Sequence, residues 1–137
     1  MSDSDLRQAL LGTWRLISFQ GDVDGPFAKP FGDNAQGYLV YTTDDHVFVQ
    51  IATRAERAWP GPEFVELPVA QRMAALGFFA YSGTFEVCDG AVLHHMEFGI
   101  WQRLTGRVET RSIVVLDDDR LILSTSTGLQ AEWQRVH

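Results

Sequence analysis

One arginine, one histidine and one tyrosine in the second half of the chain carry the side chains best suited to chemistry. Arg111 lies in a predicted strand over 108–116, and its guanidinium can hold a carboxylate, enolate or phenolate through paired hydrogen bonds. The His94 imidazole titrates near neutral pH, so it can donate to a ligand or act as a general acid or base. Tyr81 adds a hydroxyl that can orient a polar group. We therefore expect one site with these three polar points and with His94 as its candidate catalytic residue.

Two of these side chains also have a plain structural interpretation. A guanidinium inside a protein is costly unless it is paired, so an inward Arg111 needs Glu97, a tyrosine hydroxyl, water or a ligand anion. The alternative is that Arg111 lies on an exposed face. His94 can equally be a buried histidine that a tyrosine or the backbone satisfies. The sequence leaves both interpretations open.

Other familiar kinds of site lack the residues that they require. The neighbours His94 and His95 point to opposite faces of a strand, and Cys88 is the only cysteine, so we expect no metal site and no cofactor. No Gly-x-Ser-x-Gly, Gly-x-Gly-x-x-Gly or Walker sequence occurs. The net charge is −7, without a lysine or arginine cluster, which disfavours nucleic acids and anionic membranes as partners. A small molecule is the expected partner.

The pairing of two strands decides which of these side chains share a face. Asp89-Gly90 is a strong two-residue turn between strands expected at 78–87 and 91–101. Around that turn the inward pairs are Val87 with Val92, Phe85 with His94, Gly83 with Met96, and Tyr81 with Phe98. This face is almost wholly apolar, which places His94 inside and His95 outside.

The last strands can be paired in the same way. With Asp118-Asp119 and Thr127-Gly128 as two-residue turns, Ile122 lies opposite Trp133. Arg111 then shares the inward face of Trp133. Leu121 and Leu123 fall on the outer face.

The remaining elements complete an antiparallel meander in a single domain, residues 1–137. The expected strands are 13–23, 37–42, 47–52, 78–87, 91–101, 108–116, 121–126 and 129–136. A short helical turn over 6–11, capped by Ser4 or Asp5, precedes them, and one covering helix spans 69–76. The loop 24–34, which contains Phe27 and Phe31, is a candidate lid. Consecutive hairpins of this kind predict an all-β, up-and-down barrel.

A series of short motifs along the chain resembles a known family. These motifs are Leu11-Gly12-Thr13-Trp14-Arg15-Leu16, Gly37-Tyr38-Leu39-Val40-Tyr41-Thr42, Ala80-Tyr81-Ser82-Gly83-Thr84-Phe85-Glu86-Val87, His94-His95, Arg111, Leu121-Ile122-Leu123-Ser124 and Glu132-Trp133-Gln134-Arg135. Their order is similar to that of the bacterial and fungal lipocalin-like domain family. The resemblance implies an antiparallel barrel of eight to ten strands, of the calycin type, with an internal cavity. It also implies a cation–π contact between Trp14 and Arg135.

The leading hypothesis is a cytoplasmic protein that binds a small apolar or aromatic molecule with an acidic or carbonyl group. The predicted ligand-binding residues are Arg111, His94, Tyr81, Tyr41, Phe85, Met96, Phe98 and Trp133.

One alternative is a cofactor-independent isomerase or cyclase, with His94 as acid or base and Arg111 stabilising an oxyanion. The other is an interaction or dimerisation module with a filled barrel. Its apolar outer face would comprise Val114, Leu116, Leu121 and Leu123, and its partner would be a second copy in a homodimer.

Overall fold

The computed structural model describes residues 1–21, 28–54 and 66–137. Within them, eight antiparallel strands close into a barrel in chain order, and the last strand pairs with the first. The strands are β1 (Gly12–Gly21), β2 (Gln36–Tyr41), β3 (His46–Ala52), β4 (Phe78–Cys88), β5 (Ala91–Gly99), β6 (Val108–Leu116), β7 (Arg120–Ser124) and β8 (Leu129–Arg135). The predicted up-and-down barrel is therefore confirmed.

Helix α1 begins earlier than the sequence predicted. It spans Asp3–Leu10, and its cap is Ser2 rather than Ser4 or Asp5. The Ser2 hydroxyl accepts a hydrogen bond from the backbone N–H of Asp5 at 3.1 Å, and the Asp5 carboxylate accepts one from the N–H of Ser2 at 3.1 Å. This reciprocal pair satisfies two backbone donors that would otherwise be left at the helix start.

Side chains of α1 fix this helix across one end of the barrel. The Asp3 carboxylate accepts hydrogen bonds from the backbone N–H groups of Asp89 and Gly90, at 3.0 and 2.9 Å. On the same helix, Arg7 donates to the Asp45 carboxylate at 2.7 Å. The helix thereby contacts the β4–β5 and β2–β3 turns, which lie at this end.

Helix α2 spans Val69–Leu76, as predicted, and lies toward the opposite end of the barrel. It ends at Gly77, which adopts the left-handed conformation (φ 66°) that glycine tolerates best, and β4 follows directly. A short 3₁₀ helix, Gln102–Leu104, lies at the same end, after β5. No helix in the described part of the chain is both long and apolar enough to cross a membrane.

The β4–β5 hairpin confirms the predicted pairs next to its turn. Phe85 pairs with His94, and His94 is buried, with 1% of its surface exposed. The His95 side chain lies on the outside, where its Nε2 atom is 2.7 Å from a carboxylate oxygen of Glu86. The Asp89-Gly90 turn therefore fixes which face of this hairpin points inward.

Farther from the turn, a bulge overturns one predicted position. Gly83 pairs with Met96 as expected, but one extra residue on β5 then shifts the register, so that Ser82 and not Tyr81 pairs with Phe98. Phe98 consequently lies on the outer surface, 64% exposed, and the prediction that it points inward is wrong. A turn sets the register only as far as the first bulge.

The β7–β8 turn has three residues where the sequence predicted two. The N–H of Gly128 donates to the Thr125 carbonyl at 3.2 Å, and the N–H of Thr125 donates to the Leu129 carbonyl at 2.8 Å. Gly128 takes a positive φ of 85°, as the last residue of a three-residue loop usually does. The extra residue shifts the pairing of the two strands by one position.

That shift moves two leucines from the outer face to the core. Leu121 pairs with Trp133 and is 0% exposed, and Leu123, likewise inside, is 5% exposed. The predicted Ile122–Trp133 pair is therefore wrong. So is the predicted apolar outer face, since Val114 keeps its exposure (52%) without the two leucines beside it. The free energy gained by burying both leucines is larger than any preference for the shorter, two-residue turn.

Large side chains fill the half of the barrel beside α1. Leu10, Trp14, Tyr41, Val47, Val92 and Leu121 are each at most 1% exposed. The Trp14 indole N–H donates to the Leu10 carbonyl at 2.9 Å. The Arg135 guanidinium carbon lies 4.1 Å from the centroid of the Trp14 ring, which confirms the cation–π contact expected there.

The predicted lid loop 24–34 is described only from residue 28 onward. Phe27 lies outside the described residues. Phe31 is buried (1% exposed) and packs edge-on against Phe19 with ring centroids 5.4 Å apart. Phe31 thus supports the wall that Phe19 contributes to the barrel interior.

Candidate functional site

A cavity of about 210 Å³ occupies the half of the barrel toward α2. Its apolar walls include Phe19, Leu39, Val49, Ile51, Phe79, Met96, Leu104, Leu123 and Trp133. Helix α2 contributes Met73, and the turn between β7 and β8 contributes residues 125–127. Since the other half of the barrel is filled, a ligand held here would contact residues from the middle of the barrel up to α2.

Five of the eight predicted ligand-binding residues line this cavity. They are Arg111, His94, Tyr81, Met96 and Trp133. Tyr41 and Phe85 lie instead in the filled half, with their ring centroids 4.7 Å apart. Phe98 lies outside the barrel. The structure therefore brings together the three polar residues that the sequence predicted, and replaces part of the predicted apolar wall.

His94 is held between two tyrosines. Its Nε2 atom lies 2.7 Å from the hydroxyl oxygen of Tyr41, and its Nδ1 atom lies 2.6 Å from the hydroxyl oxygen of Tyr81. All three residues are at most 5% exposed. Both ring nitrogens are therefore engaged in short, buried hydrogen bonds. Of the two interpretations that the sequence left open, His94 fits the one in which tyrosine hydroxyls satisfy the hydrogen bonds of a buried histidine.

The direction of these hydrogen bonds follows from the surroundings of Tyr41. Within the described residues, the Tyr41 hydroxyl has no partner other than His94. If it accepted a proton from Nε2, its own O–H group would be buried without an acceptor, which is costly. We therefore assign Tyr41 as the donor to Nε2 and the Nδ1–H group as the donor to Tyr81. The Tyr81 O–H group is then left to donate into the cavity.

The pKa values of these groups support neutral forms. Burial, and to a smaller extent the charges of Arg111 and His95, hold the pKa of His94 well below its ordinary value. Burial raises the pKa of Tyr41 well above its ordinary value. Burial also raises the pKa of Tyr81, although the adjacent Arg111 guanidinium opposes that effect. At neutral pH the hydrogen-bonded series of Tyr41, His94 and Tyr81 therefore consists of two neutral phenols and a neutral imidazole.

Arg111 points into the cavity and is only partly neutralised there. Its Nη1 atom lies 3.5 Å from the Glu109 carboxylate, and 14% of its side chain is exposed. Glu97, the partner considered from the sequence, is exposed on the outer surface. Glu109 could have been identified by its spacing, because residues i and i+2 of a strand share a face.

Helix α2 adds an arginine that the sequence analysis did not place in the site. Arg72 lines the cavity, and only 4% of its surface is exposed. Its guanidinium carbon lies 4.6 Å from the centroid of the Trp101 ring. Its Nε atom has no hydrogen-bond partner among the described residues. The position depends on how the helix docks, which local sequence does not determine.

The cavity has the opposite charge to the protein as a whole. Arg72, Arg103, Arg107 and Arg111 line it, and Glu109 is the acidic residue among its described lining residues. With His94 neutral, the described lining residues carry a formal excess of three positive charges, of which Arg103 and Arg107 are exposed to solvent, whereas the chain carries −7. The arrangement favours a ligand that has an apolar body and negative charge.

Metal binding finds no support in the described ranges. No group of three or more histidine, cysteine, aspartate or glutamate side chains there could hold a metal ion.

Comparisons with known proteins agree with the barrel. A family model described as a lipocalin-like domain matches residues 11–136. A lipocalin-like protein from Bacteroides uniformis ATCC 8492 has a similar structure, with a TM-score of 0.53, 10% identity, and coverage of 93% of this chain and 99% of that one. An uncharacterized protein from Bacteroides eggerthii DSM 20697 is also similar, with a TM-score of 0.54 and 11% identity. The match covers 93% of this chain and 99% of that one. At this identity these structures show the fold alone. No curated protein sequence matches the chain.

Proposed function

The chain belongs to the lipocalin-like domain family, and on that premise we propose that its barrel binds a small apolar or aromatic molecule with one acidic or carbonyl group. One observation carries the proposal. The apolar cavity contains a guanidinium, from Arg111, beside a phenol, Tyr81, whose O–H group is left to donate in the tautomer assigned to His94. A hollow lipocalin-like barrel is an architecture suited to ligand binding in general.

The two polar groups differ in what they recognise. Arg111 supplies charge, so it favours a carboxylate, sulfonate or enolate over a neutral group. Tyr81 supplies a single oriented donor that an anion or a carbonyl oxygen can accept. The surrounding apolar walls strengthen both interactions because they exclude water.

The acid–base role considered for His94 has a specific obstacle. Both ring nitrogens already bond to tyrosine hydroxyls, so an exchange of protons with a ligand would first have to break one of these bonds. The geometry instead makes His94 a positioning residue for Tyr81. Binding is therefore the function that this arrangement supports best.

Two fluorescent probes with the same aromatic body can test the charge preference. Anilinonaphthalene sulfonate carries an anion, and N-phenylnaphthylamine is its neutral counterpart. We expect the wild-type protein to bind the anionic probe more tightly. The Arg111→Gln variant should lose roughly tenfold to a hundredfold in affinity for the sulfonate, the range expected for a hydrogen bond to a charged group. Its affinity for the neutral probe should change little.

Arg120→Gln is the matched control. Arg120 lies on the outer surface in an ion pair with Glu132, at 3.1 Å, and it does not line the cavity. This variant should bind both probes as the wild type does. Equal affinity of the wild type for the two probes, or an Arg111→Gln variant that still prefers the sulfonate, would show that the proposal is wrong.

A further inference from the structure

Arg72 is a buried cation whose charge the described protein does not neutralise. It is 4% exposed, less than Arg111, whose side chain is 14% exposed. Arg111 has Glu109 within 3.5 Å, whereas the buried Nε atom of Arg72 has no hydrogen-bond partner among residues 1–21, 28–54 and 66–137. Its guanidinium carbon lies 4.6 Å from the centroid of the Trp101 ring.

Nothing among the described residues fully offsets the cost of burying this charge. Removing a guanidinium from water carries a large free-energy cost, and stacking on an indole restores only part of it. The positive charge of Arg103 adds to the cost, and burial together with that charge lowers the pKa of Arg72. A group held in this way is stabilised when an anion arrives.

A second buried donor lines the same cavity without a partner. The Trp133 side chain is 3% exposed, and its indole N–H group has no hydrogen-bond acceptor within the described residues. Buried N–H groups without an acceptor are uncommon in native proteins, and a ligand acceptor is one way to satisfy them. The cavity therefore holds more donors than a single acidic group needs.

We propose that the cavity binds a ligand with two negatively charged groups joined by an apolar body. One group lies at Arg111 and Tyr81, and the other at Arg72. This inference rests on the proposed function, and narrows its ligand from a compound with one acidic group to a dianion. The two largely buried guanidinium groups of the lining, those of Arg72 and Arg111, match a charge of −2 better than a charge of −1.

Displacement of bound anilinonaphthalene sulfonate by simple acids tests the second group. The probes are dicarboxylates from octanedioate to dodecanedioate, each compared with the monocarboxylate of equal chain length. We expect the best dicarboxylate to bind the wild type about tenfold or more tightly than its monocarboxylate, as one further charge-assisted hydrogen bond implies.

The Arg72→Met variant should remove this preference. The dicarboxylate should then bind no more tightly than the monocarboxylate, whose own affinity should stay within about twofold. The same variant should unfold at a temperature a few degrees higher, because it replaces a buried unpaired charge with an apolar side chain of similar length. The Arg72→Lys variant keeps the charge and should retain part of the dicarboxylate preference.

Arg15→Met is the matched control. Arg15 also stacks on an aromatic ring, with its guanidinium carbon 5.3 Å from the centroid of the Tyr38 ring, but it is exposed on the outside of the barrel. Its removal should change neither acid binding nor the unfolding temperature by a comparable amount.

The outcomes separate the two proposals. If dicarboxylates show no advantage while Arg111→Gln still weakens monocarboxylate binding, the second anionic group is wrong and the proposed function stands. If no probe or acid binds the wild type, both are wrong. If Arg72→Met lowers the unfolding temperature and keeps the dicarboxylate preference, Arg72 is a structural residue and the inference is overturned.

Discussion

The Tyr81 hydroxyl is oriented by a chain of hydrogen bonds that begins outside the cavity. Tyr41 donates to Nε2 of His94, and the Nδ1–H group donates to Tyr81 in turn, over distances of 2.7 and 2.6 Å. Because each bond fixes the direction of the next, Tyr81 can present its own proton to a ligand beside Arg111. The two tyrosines therefore have different roles although both contact the same histidine.

Removing each hydroxyl separately tests this assignment. Tyr81→Phe should weaken the binding of anilinonaphthalene sulfonate about tenfold, because the donor facing the ligand is lost. Tyr41→Phe should leave that affinity within about twofold and lower the free energy of unfolding by about 1–3 kcal/mol, because Nε2 becomes a buried acceptor without a donor. Fluorescence titration and urea unfolding measure the two effects, and equal losses of probe affinity in both variants would contradict the assignment.

At the scale of elements, Arg135 joins α1 to the barrel. Its guanidinium donates to the carbonyl groups of Leu11 and Ala9, at 2.7 and 2.6 Å, and to that of Asp118 at 2.7 Å. It also lies over the Trp14 ring. One side chain thus satisfies carbonyl groups at the end of α1 and fixes the helix against the β6–β7 turn.

Arg135→Met should therefore cost about 3 kcal/mol or more of unfolding free energy, since the carbonyl groups lose a charged donor and the indole loses its cation. Arg120→Met is the comparison, because Arg120 pairs with Glu132 on the surface, where an ion pair contributes at most about 1 kcal/mol. Urea unfolding of the two variants measures both values. Similar losses would mean that Arg135 does not anchor the helix.

Local sequence predicted the register of one hairpin near its turn and failed at another. Asp89-Gly90 determined the inward face of β4 and β5 near the turn, because Asp89 (φ 52°) and Gly90 (φ 79°) both take the positive φ that this kind of two-residue turn requires. Phe98 lay beyond a bulge, which no turn signal marks. The β7–β8 register failed because Thr127-Gly128 fits both a two-residue and a three-residue turn. Only the burial of Leu121 and Leu123 distinguishes these two registers.

Some residues of the candidate site could be predicted from the sequence, and others could not. His94 could be placed because the Asp89-Gly90 turn fixes the register of its strand. Arg111 was placed on the correct face although the predicted β7–β8 register was wrong, because a bulge between Ile113 and Val115 offsets that one-residue shift. Glu109 lies two residues from Arg111 on the same face and was overlooked. Arg72 could not be placed, because its contact with Trp101 depends on how α2 docks against an element distant in sequence. The second anionic group is thus inferred from tertiary structure alone.

The whole molecule is filled at one end and hollow at the other. The fully buried side chains of Trp14, Val47, Val92 and Leu121 lie outside the cavity lining and close to α1, whereas the cavity lies toward α2 and the 3₁₀ helix Gln102–Leu104. Local stability follows the density of buried apolar contacts. The two ends should therefore open with different free energies, and the ligand should act on the less stable one.

Amide hydrogen exchange can measure this difference. In the free protein, exchange should be slowest in the parts of β4, β5 and β6 nearest α1, and faster in α2 and residues 100–107. Adding anilinonaphthalene sulfonate should slow exchange in these faster segments and leave α1 unchanged, because binding stabilises the elements that contact the ligand. The Arg111→Gln variant at the same probe concentration is the control and should gain less protection. Added protection that centres on α1 would place the probe at the surface there, outside the barrel, and would contradict a cavity site.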